Sequence, residues 1–420
     1  MIKFIGFLLL LAFTIGTNYQ RHKTLIILDN IAIKETYSSF FQILKDHNHE
    51  IDIKMNDSSK ITLKKFDDFI YNNIIFIAPS IQKFQYKIKE IMDFYNYPGH
   101  NIMIISYETI NDYIKKLCYQ FGVSFPNPTV HLNGSHSCKK SNSSFSGFVT
   151  WPIFQEKVSG IELNGIPLNL DHKNPYVFPL LRGDVCMFSE DNQNNIISSG
   201  KNIELVAGYQ SDKNNRVIIH SLFSMCSNLY INRNVKNINN IRSSENYQFC
   251  EELIEWNFHE LGVIKAENIQ VIKASDNQSY SEYNVAENVQ YSVDLSTFDP
   301  TSGKWIPYQD SSIYLELVML DPYYRVILNS DPATSSYKKI IQVPDKQGVY
   351  NFILNITRKG YSYILNETKL VVRPIRHNEI PRFNFAAFPI YFSVLACMIG
   401  LLIFVYKLLL TKDEIKQKKD

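Results

Sequence analysis

From residue 24 onward the chain repeats one alternation. A short apolar run is followed by a polar turn, then by apolar positions three and four apart. Leu25–Leu28, Glu50–Lys54, Ile74–Ala78 and Ile102–Ile105 read as strands, and Glu35–His47, Tyr86–Tyr95 and Ile110–Phe121 read as helices. Strands spaced by helical segments predict βαβ units around a parallel sheet. In such sheets, ligands bind in the crevice beyond the carboxyl ends of the strands. The first turn there, "LDNIAIKE", holds no glycine that would let backbone approach a phosphate. The strand "FIAPS" ends in a Pro turn at the same edge.

The pattern then changes. Asn127–Ser146 is polar and reads as a surface loop. From Gly147 to about Tyr230 short strands dominate, among them Phe148–Ile153, Ile203–Tyr209 and Arg216–Ser221. Tyr230–Ser244 is an Asn-rich connection. "NYQFCEELIEWNFHELGVIK" has helical spacing at Phe249, Leu253, Ile254, Trp256 and Leu261 and predicts a helix ending at Gly262. From Ala266 to Pro374, alternating strands and turns follow, with a hairpin around Asp299-Pro300. That periodicity suits an immunoglobulin-like sandwich of about seven strands.

Both ends of the chain carry apolar stretches. "MIKFIGFLLLLAFTIG" has a basic start, a short apolar core and small residues at Thr14 and Gly16, so residues 1–16 read as a secretory signal peptide. Phe383–Tyr406 holds no charge and is long enough to cross a bilayer. Lysines follow it, so the body is expected in the lumen and the tail in the cytosol. The expected organisation is therefore a lumenal α/β domain with a β-rich extension (17–264), a lumenal β domain (265–381), one span (383–406) and a tail (407–420). Lys416 and Lys418 stand at the −5 and −3 positions of the tail, the spacing of a dilysine signal for retrieval to the endoplasmic reticulum. Within the span, Ser393, Ala396, Cys397 and Gly400 share one helical face and are all small, which makes them candidates for close helix packing.

Charge narrows the function classes. Lys+Arg 43 against Asp+Glu 41 gives +2, which is no footprint for nucleic acid. Hydrophobic content of 45% is ample for cores. Of the cysteines, Cys118, Cys138, Cys186, Cys226 and Cys250 would be lumenal. Five is odd, so at least one thiol stays unpaired. Sequons occur at Asn56, Asn133, Asn142, Asn277, Asn355 and Asn366. Heavy use of Asn, Ile, Lys and Tyr raises the number expected by chance.

Catalytic chemistry is hard to assemble. Ser106 ends a strand but has no following Gly and no evident His partner. His220, Ser221 and Cys226 follow a strand, yet no third group orients them, and a strand end running into a turn is the better account of them. His47 with His49, and His131, His136 and Cys138, match no standard zinc spacing. There is no P-loop and no GxGxxG. No metal, cofactor or catalytic residue is assigned on this reading.

Several stretches carry a family resemblance: "LDNIAIKETYSSFFQILKDHNHEI", "NNIIFIAPS", "LVAGYQSDKNNRVIIHSLFSMCS", "GKWIPY", "LDPYYR", "PDKQGVYNF", "RKGYSY", "VVRP" and "PRFNFAAFPIYFS". In that order they resemble the 48-kilodalton (DDOST-type) subunit family of the eukaryotic oligosaccharyltransferase, over nearly the whole mature chain. The resemblance implies an amidotransferase- or flavodoxin-like first domain without catalysis, a β-sandwich-like region and one transmembrane helix. It implies a non-catalytic assembly subunit in protein N-glycosylation, in the membrane of the endoplasmic reticulum. The implied partners are a catalytic subunit, ribophorins and a small multispanning subunit. Contact with the dolichol-linked donor stays open. "YNYPGHNIM" and His220 depart from positions where that family usually has glycines. Two other readings stand beside it: a stand-alone lumenal amidotransferase-like hydrolase, and a lumenal glycan-binding protein.

Overall fold

The computed structural model describes residues 22–56, 61–77, 84–106, 110–126, 130–134, 147–149, 165–183, 187–191, 193, 195–222, 224–231, 234–237, 240–243, 245–300, 302–310, 312–330, 336–380 and 387–416. The signal-peptide stretch, the Pro turn of "FIAPS" and the last four residues lie outside them. Two compact units form. One runs up to Gln270 and adds Tyr291–Lys339 and Phe352–Thr368. The other comprises Val271–Gln290, Ile340–Asn351 and the chain from Lys369.

The first unit is built on an eight-stranded sheet. Its strands are β1 (Lys23–Leu28), β2 (Glu50–Met55), β3 (Asn73–Ile77), β4 (Asn101–Ile105), β5 (Gly147–Val149), β6 (Val177–Gly183), β7 (Glu204–Gln210) and β8 (Arg216–His220). Their order is β2-β1-β3-β4-β8-β7-β6-β5. The pairs among β2, β1, β3, β4 and β8 are parallel, and those beyond β8 are antiparallel. The β-rich extension thus completes the same sheet. Its direction reverses because the turn between β7 and β8 is tight: the Ser211 N–H reaches Asn215 O at 3.0 Å, and Asn214 takes φ 67°.

Side-chain alternation explains the unbroken apolar runs. One rung is Ile53–Ile26–Ile75–Met103–Ile218 and the next is Ile27–Phe76–Ile104–Ile219. The first rung faces helices α2 (Ser38–Asp46) and α5 (Asn246–Asn257) through Phe40, Leu44, Leu253 and Trp256. The second faces α3 (Ile88–Tyr95) and α4 (Asp112–Gln120) through Ile91, Phe94, Leu117 and Phe121. Strands buried on both faces have no polar side to show.

Three elements differ from the sequence reading. The helix expected over Glu35–His47 is two, α1 (Ala32–Thr36) and α2, broken at Tyr37 (φ −113°, ψ 20°). Asn228 enters the break: its Nδ2 donates to Glu35 O and Ser38 Oγ (both 2.8 Å), and its Oδ1 accepts from the Ser39 N–H (2.9 Å). Val130–Gly134, expected in a loop, pairs with Met187–Asp191. Helix α5 stops at Asn257, before Gly262. The apolar helix α6 (Phe388–Lys416) has a membrane-compatible stretch at Phe388–Leu410, in which Leu408–Leu410 continue the apolar run past Lys407; residues 383–386 of the expected span lie outside the described residues.

Downstream of Val263 the strands form two five-stranded sheets. β9 (Asn288–Asp299) buries Val289, Tyr291, Val293 and Leu295 and pairs with β10 (Lys304–Pro307) in the expected hairpin, Asp299 opposite Lys304. Tyr314–Val318 pairs antiparallel with Pro322–Ile327. In the second unit, Tyr283–Asn284 runs parallel to the end of Ile364–Arg373.

Candidate functional site

The carboxyl edge of the parallel strands is the place where this architecture would bind a ligand. Among the described residues there, several polar groups are already bonded to the chain itself. After β1, the Asn30 Oδ1 accepts the Ala32 N–H at 3.1 Å, opening α1, which has only five residues. The Asn56 N–H reaches Leu28 O at 3.2 Å. Ser106, after β4, is fully buried and donates to His220 O from both its N–H (2.8 Å) and its Oγ (3.2 Å).

The residues following β8 are locked in the same way. Ser221 Oγ donates to Ile166 O. Gly165 makes that approach possible, since a Cβ there would meet Ser221 O at 2.3 Å. Cys226 is disulfide-bonded to Cys250 of α5, so the loop after β8 is pinned to that helix. His220 is fully buried, neither ring nitrogen has a hydrogen-bond partner, and burial pulls its pKa down to about 3. His220, Ser221 and Cys226 therefore do not assemble a nucleophile with a base: the sulfur is in a disulfide, the hydroxyl is bonded to Ile166 O and neither imidazole nitrogen bonds to either group.

The amino edge carries a buried polar ladder instead. Asn73 Nδ2 donates to Thr24 Oγ1 (3.4 Å), and Asn101 Nδ2 donates to Asn73 Oδ1 (3.2 Å). Asn101 Oδ1 accepts from the Arg216 N–H (2.9 Å) and from His259 Nε2 (3.2 Å). Thr24 Oγ1 also bonds His49 Nδ1 (2.9 Å). Beside it, His47 Nδ1 bonds Glu260 Oε2 at 2.5 Å, which pushes the His47 pKa up to about 9. Burial, then the neighbouring His22 and His47, pulls His49 down to about 3. Glu255 is pushed up to about 7, chiefly by burial. Among the described residues, no group of three His, Cys, Asp or Glu side chains is placed to hold a metal ion.

Arg216 is the structural centre of this edge and was not singled out by the sequence reading. It is fully buried, and among the described residues no carboxylate forms an ion pair with it. Its Nη1 donates to Trp256 O (2.6 Å) and Leu261 O (2.7 Å), and its Nη2 donates to Gly262 O (2.8 Å). The guanidinium lies 4.9 Å from the Trp256 ring centroid. Trp256 Nε1 in turn donates to Gly360 O at 2.7 Å. Gln210 Nε2 donates to Tyr361 O (2.7 Å), and Asn214 Nδ2 to Tyr363 O (3.0 Å). These bonds seat the α/β body on the 360–363 turn of the β region. The available signal was a cation heading an apolar strand, "RVIIH".

A family model for the OST48 N-terminal domain matches residues 16–260, and one for the OST48 middle domain matches residues 271–412. The chain belongs to the OST48 family. Three curated relatives are 48 kDa subunits of dolichyl-diphosphooligosaccharide–protein glycosyltransferase. The zebrafish (Danio rerio) protein is 27% identical over 417 residues, covering 95% of this chain and 93% of its own. The Drosophila melanogaster protein is 26% identical, with 93% and 92% covered. The Arabidopsis thaliana protein is 26% identical, with 94% and 95% covered. Two solved structures are distant. A carbohydrate deacetylase, Agd3, has TM-score 0.34 at 9% identity, covering 63% of this chain and 35% of its own. A ThuA-like protein from Parabacteroides merdae has TM-score 0.27 at 11% identity, covering 54% and 99%.

The OST48 middle-domain match takes in most of α6. Ser393, Ala396, Cys397 and Gly400 all lie exposed on it, and a Cβ on Gly400 would meet nothing within 4 Å. Lys416 closes the helix, while Lys418 lies outside the described residues. His131 and Asn133 fall in the Val130–Gly134 strand. His136, Cys138, Asn142 and Cys186 lie outside the described residues. Cys118 is a buried thiol of α4.

Proposed function

We infer that this OST48 chain is a subunit of an oligosaccharyltransferase complex and acts in protein N-glycosylation. The complex moves an oligosaccharide from a dolichyl-diphosphate carrier to Asn of nascent polypeptides. The observation that carries this reading is the pair of OST48 domain matches, which together span residues 16–260 and 271–412. The subunit's part is assembly. Support comes from Ser221 and Cys226, whose reactive atoms are engaged, and from the Arg216 joint that ties the body to the β region. The parallel order β2-β1-β3-β4-β8 supports a flavodoxin- or amidotransferase-like body. The two downstream sheets support a sandwich-like region. Helix α6 supports a single span, with the body in the lumen of the endoplasmic reticulum and the lysine tail in the cytosol. A separate catalytic subunit, ribophorins and a small multispanning subunit are the expected partners.

The test is purification of the tagged full chain from microsomes in mild detergent. Transferase subunits should co-purify, and depletion of the chain should lower glycan transfer. The assembly role has its own readout. Removing a general base costs about 10²–10⁴-fold in rate. Complexes assembled with His220→Ala should instead keep near-normal turnover per complex. A fall of catalytic size with assembly intact would make the chain an enzyme.

A further inference from the structure

Six sequons lie in the body, and the structure treats the described ones differently. Asn277 is exposed in the turn after the strand Ile264–Lys273. It takes φ 54°, and its N–H donates to Lys273 O at 2.9 Å, which fixes the backbone and leaves the side chain to solvent. Gln278 and Ser279 beside it are exposed too. Asn355 stands on the strand Gly348–Ile356, where Leu354 and Ile356 point into the core and Asn355 points out. Its Thr357 is also exposed. Two others are tied in. Asn56 is half-buried with its Oδ1 out of reach of water. Asn366 is half-buried and its Oδ1 accepts from Thr368 Oγ1 at 3.3 Å.

We propose that Asn277 and Asn355 carry N-linked glycans in the assembled protein, and that Asn56 and Asn366 do not. This rests on the lumenal placement of the body under the proposed function. The donor class is a lipid-diphosphate-linked oligosaccharide. The Asn amide nitrogen bonds to the anomeric carbon of the first sugar. The carbon–oxygen bond to the diphosphate breaks, the lipid diphosphate leaves with the electron pair, and one amide proton passes to solvent. Transfer precedes folding, so every sequon is chemically open to it. Folding then selects: a glycan is bulky and hydrated and must stay at the surface. At Asn277 and Asn355 it projects from the fold without displacing a packed group. At Asn56 or Asn366 it would pull a half-buried amide out of its setting, so chains modified there fail to reach the folded complex.

The experiment uses the full chain within its complex, purified from native microsomes. Peptide N-glycosidase in heavy-oxygen water converts each glycosylated Asn to labelled Asp, and peptide mass spectrometry reads the sites. Label at Asn277 and Asn355, with none at Asn56 or Asn366, is the expected result. Asn277→Gln and Asn355→Gln should each remove one labelled site while the complex still assembles. Unlabelled Asn277 and Asn355, or label at Asn56 or Asn366, overturns the proposal. Protease added to sealed microsomes separates this from the topology. Digestion of the body would defeat the lumenal reading itself, whereas a protected but unlabelled body defeats only the glycan assignment.

Discussion

Replacing Arg216 should loosen the α/β body more than any loss of a surface charge. The guanidinium is fully buried and donates to three backbone carbonyls, those of Trp256, Leu261 and Gly262, at 2.6–2.8 Å. Burial pulls its pKa down to about 9, which leaves it charged at neutral pH. Removing one partner of a buried charged network costs about 3–5 kcal/mol, because the groups left behind stay desolvated. Some relief exists here, since Gly262 O also accepts the Ser362 N–H at 2.9 Å. Arg216→Met, which keeps much of the volume, should therefore cost roughly 3 kcal/mol, toward the lower end of that range. For a unit of this size that is a drop on the order of 10 °C in unfolding midpoint. Arg216→Lys keeps the charge but offers one compact ammonium in place of a planar fork, so it should fall between. The assay is thermal unfolding of the full chain in detergent, with limited proteolysis of residues 258–264 as a second readout. The joint should become cleavable in the Met variant. If the Met variant unfolds at the wild-type temperature and the joint stays protected, the three carbonyl bonds do not hold the body.

Two further outcomes follow from the same geometry. His49 and His220 are held near pKa 3 by burial, while their unfolded forms titrate near the ordinary 6.5. Below about pH 6.5 the unfolded chain takes up protons that the fold refuses, so stability should fall by about 1.4 kcal/mol per pH unit for each group. His47, raised to about 9 by Glu260, works the other way: its contribution is full below about 6.5 and is lost as pH rises through 9. Unfolding midpoints across this range should peak near neutrality, and His220→Leu should flatten the acid limb; an unchanged limb would discard the account. Separately, Lys416→Ser with Lys418→Ser, placed on the tail of an unrelated single-span reporter, should release it from the endoplasmic reticulum by microscopy, and unchanged retention would discard the retrieval reading.

What the sequence made legible depended on range. β1, β3, β4 and β8 lie within two residues of where their apolar runs put them, because burial on both faces leaves a continuous signal. The break at Tyr37 left no local mark, since the group that satisfies it, Asn228, comes from far along the chain. The Val130–Gly134 strand is polar and exists by pairing with Met187–Asp191, again a distant partner. Helix α5 looked as if it should run to Gly262, but His259 takes φ 63° and turns the chain out of the helix, leaving the Leu261 and Gly262 carbonyls to accept from Arg216. The missing glycines after β1 were legible, and the structure gives the reason they are dispensable: Asn30 caps the turn with its own side chain.

The two edges of the sheet carry different polar groups. A phosphate site needs an open turn, free N–H groups and a helix long enough to orient them. Here the helix after β1 is five residues long, and its first amide is already taken by Asn30. The polar groups that a binding site would hold in reserve stand at the opposite edge, bonded to one another. The ladder from His49 through Thr24, Asn73 and Asn101 ends at Arg216, whose two terminal nitrogens donate to the segment leading into the β region. Removing any rung exposes the next buried polar group without a partner, so the ladder couples the sheet to the joint as one cooperative unit.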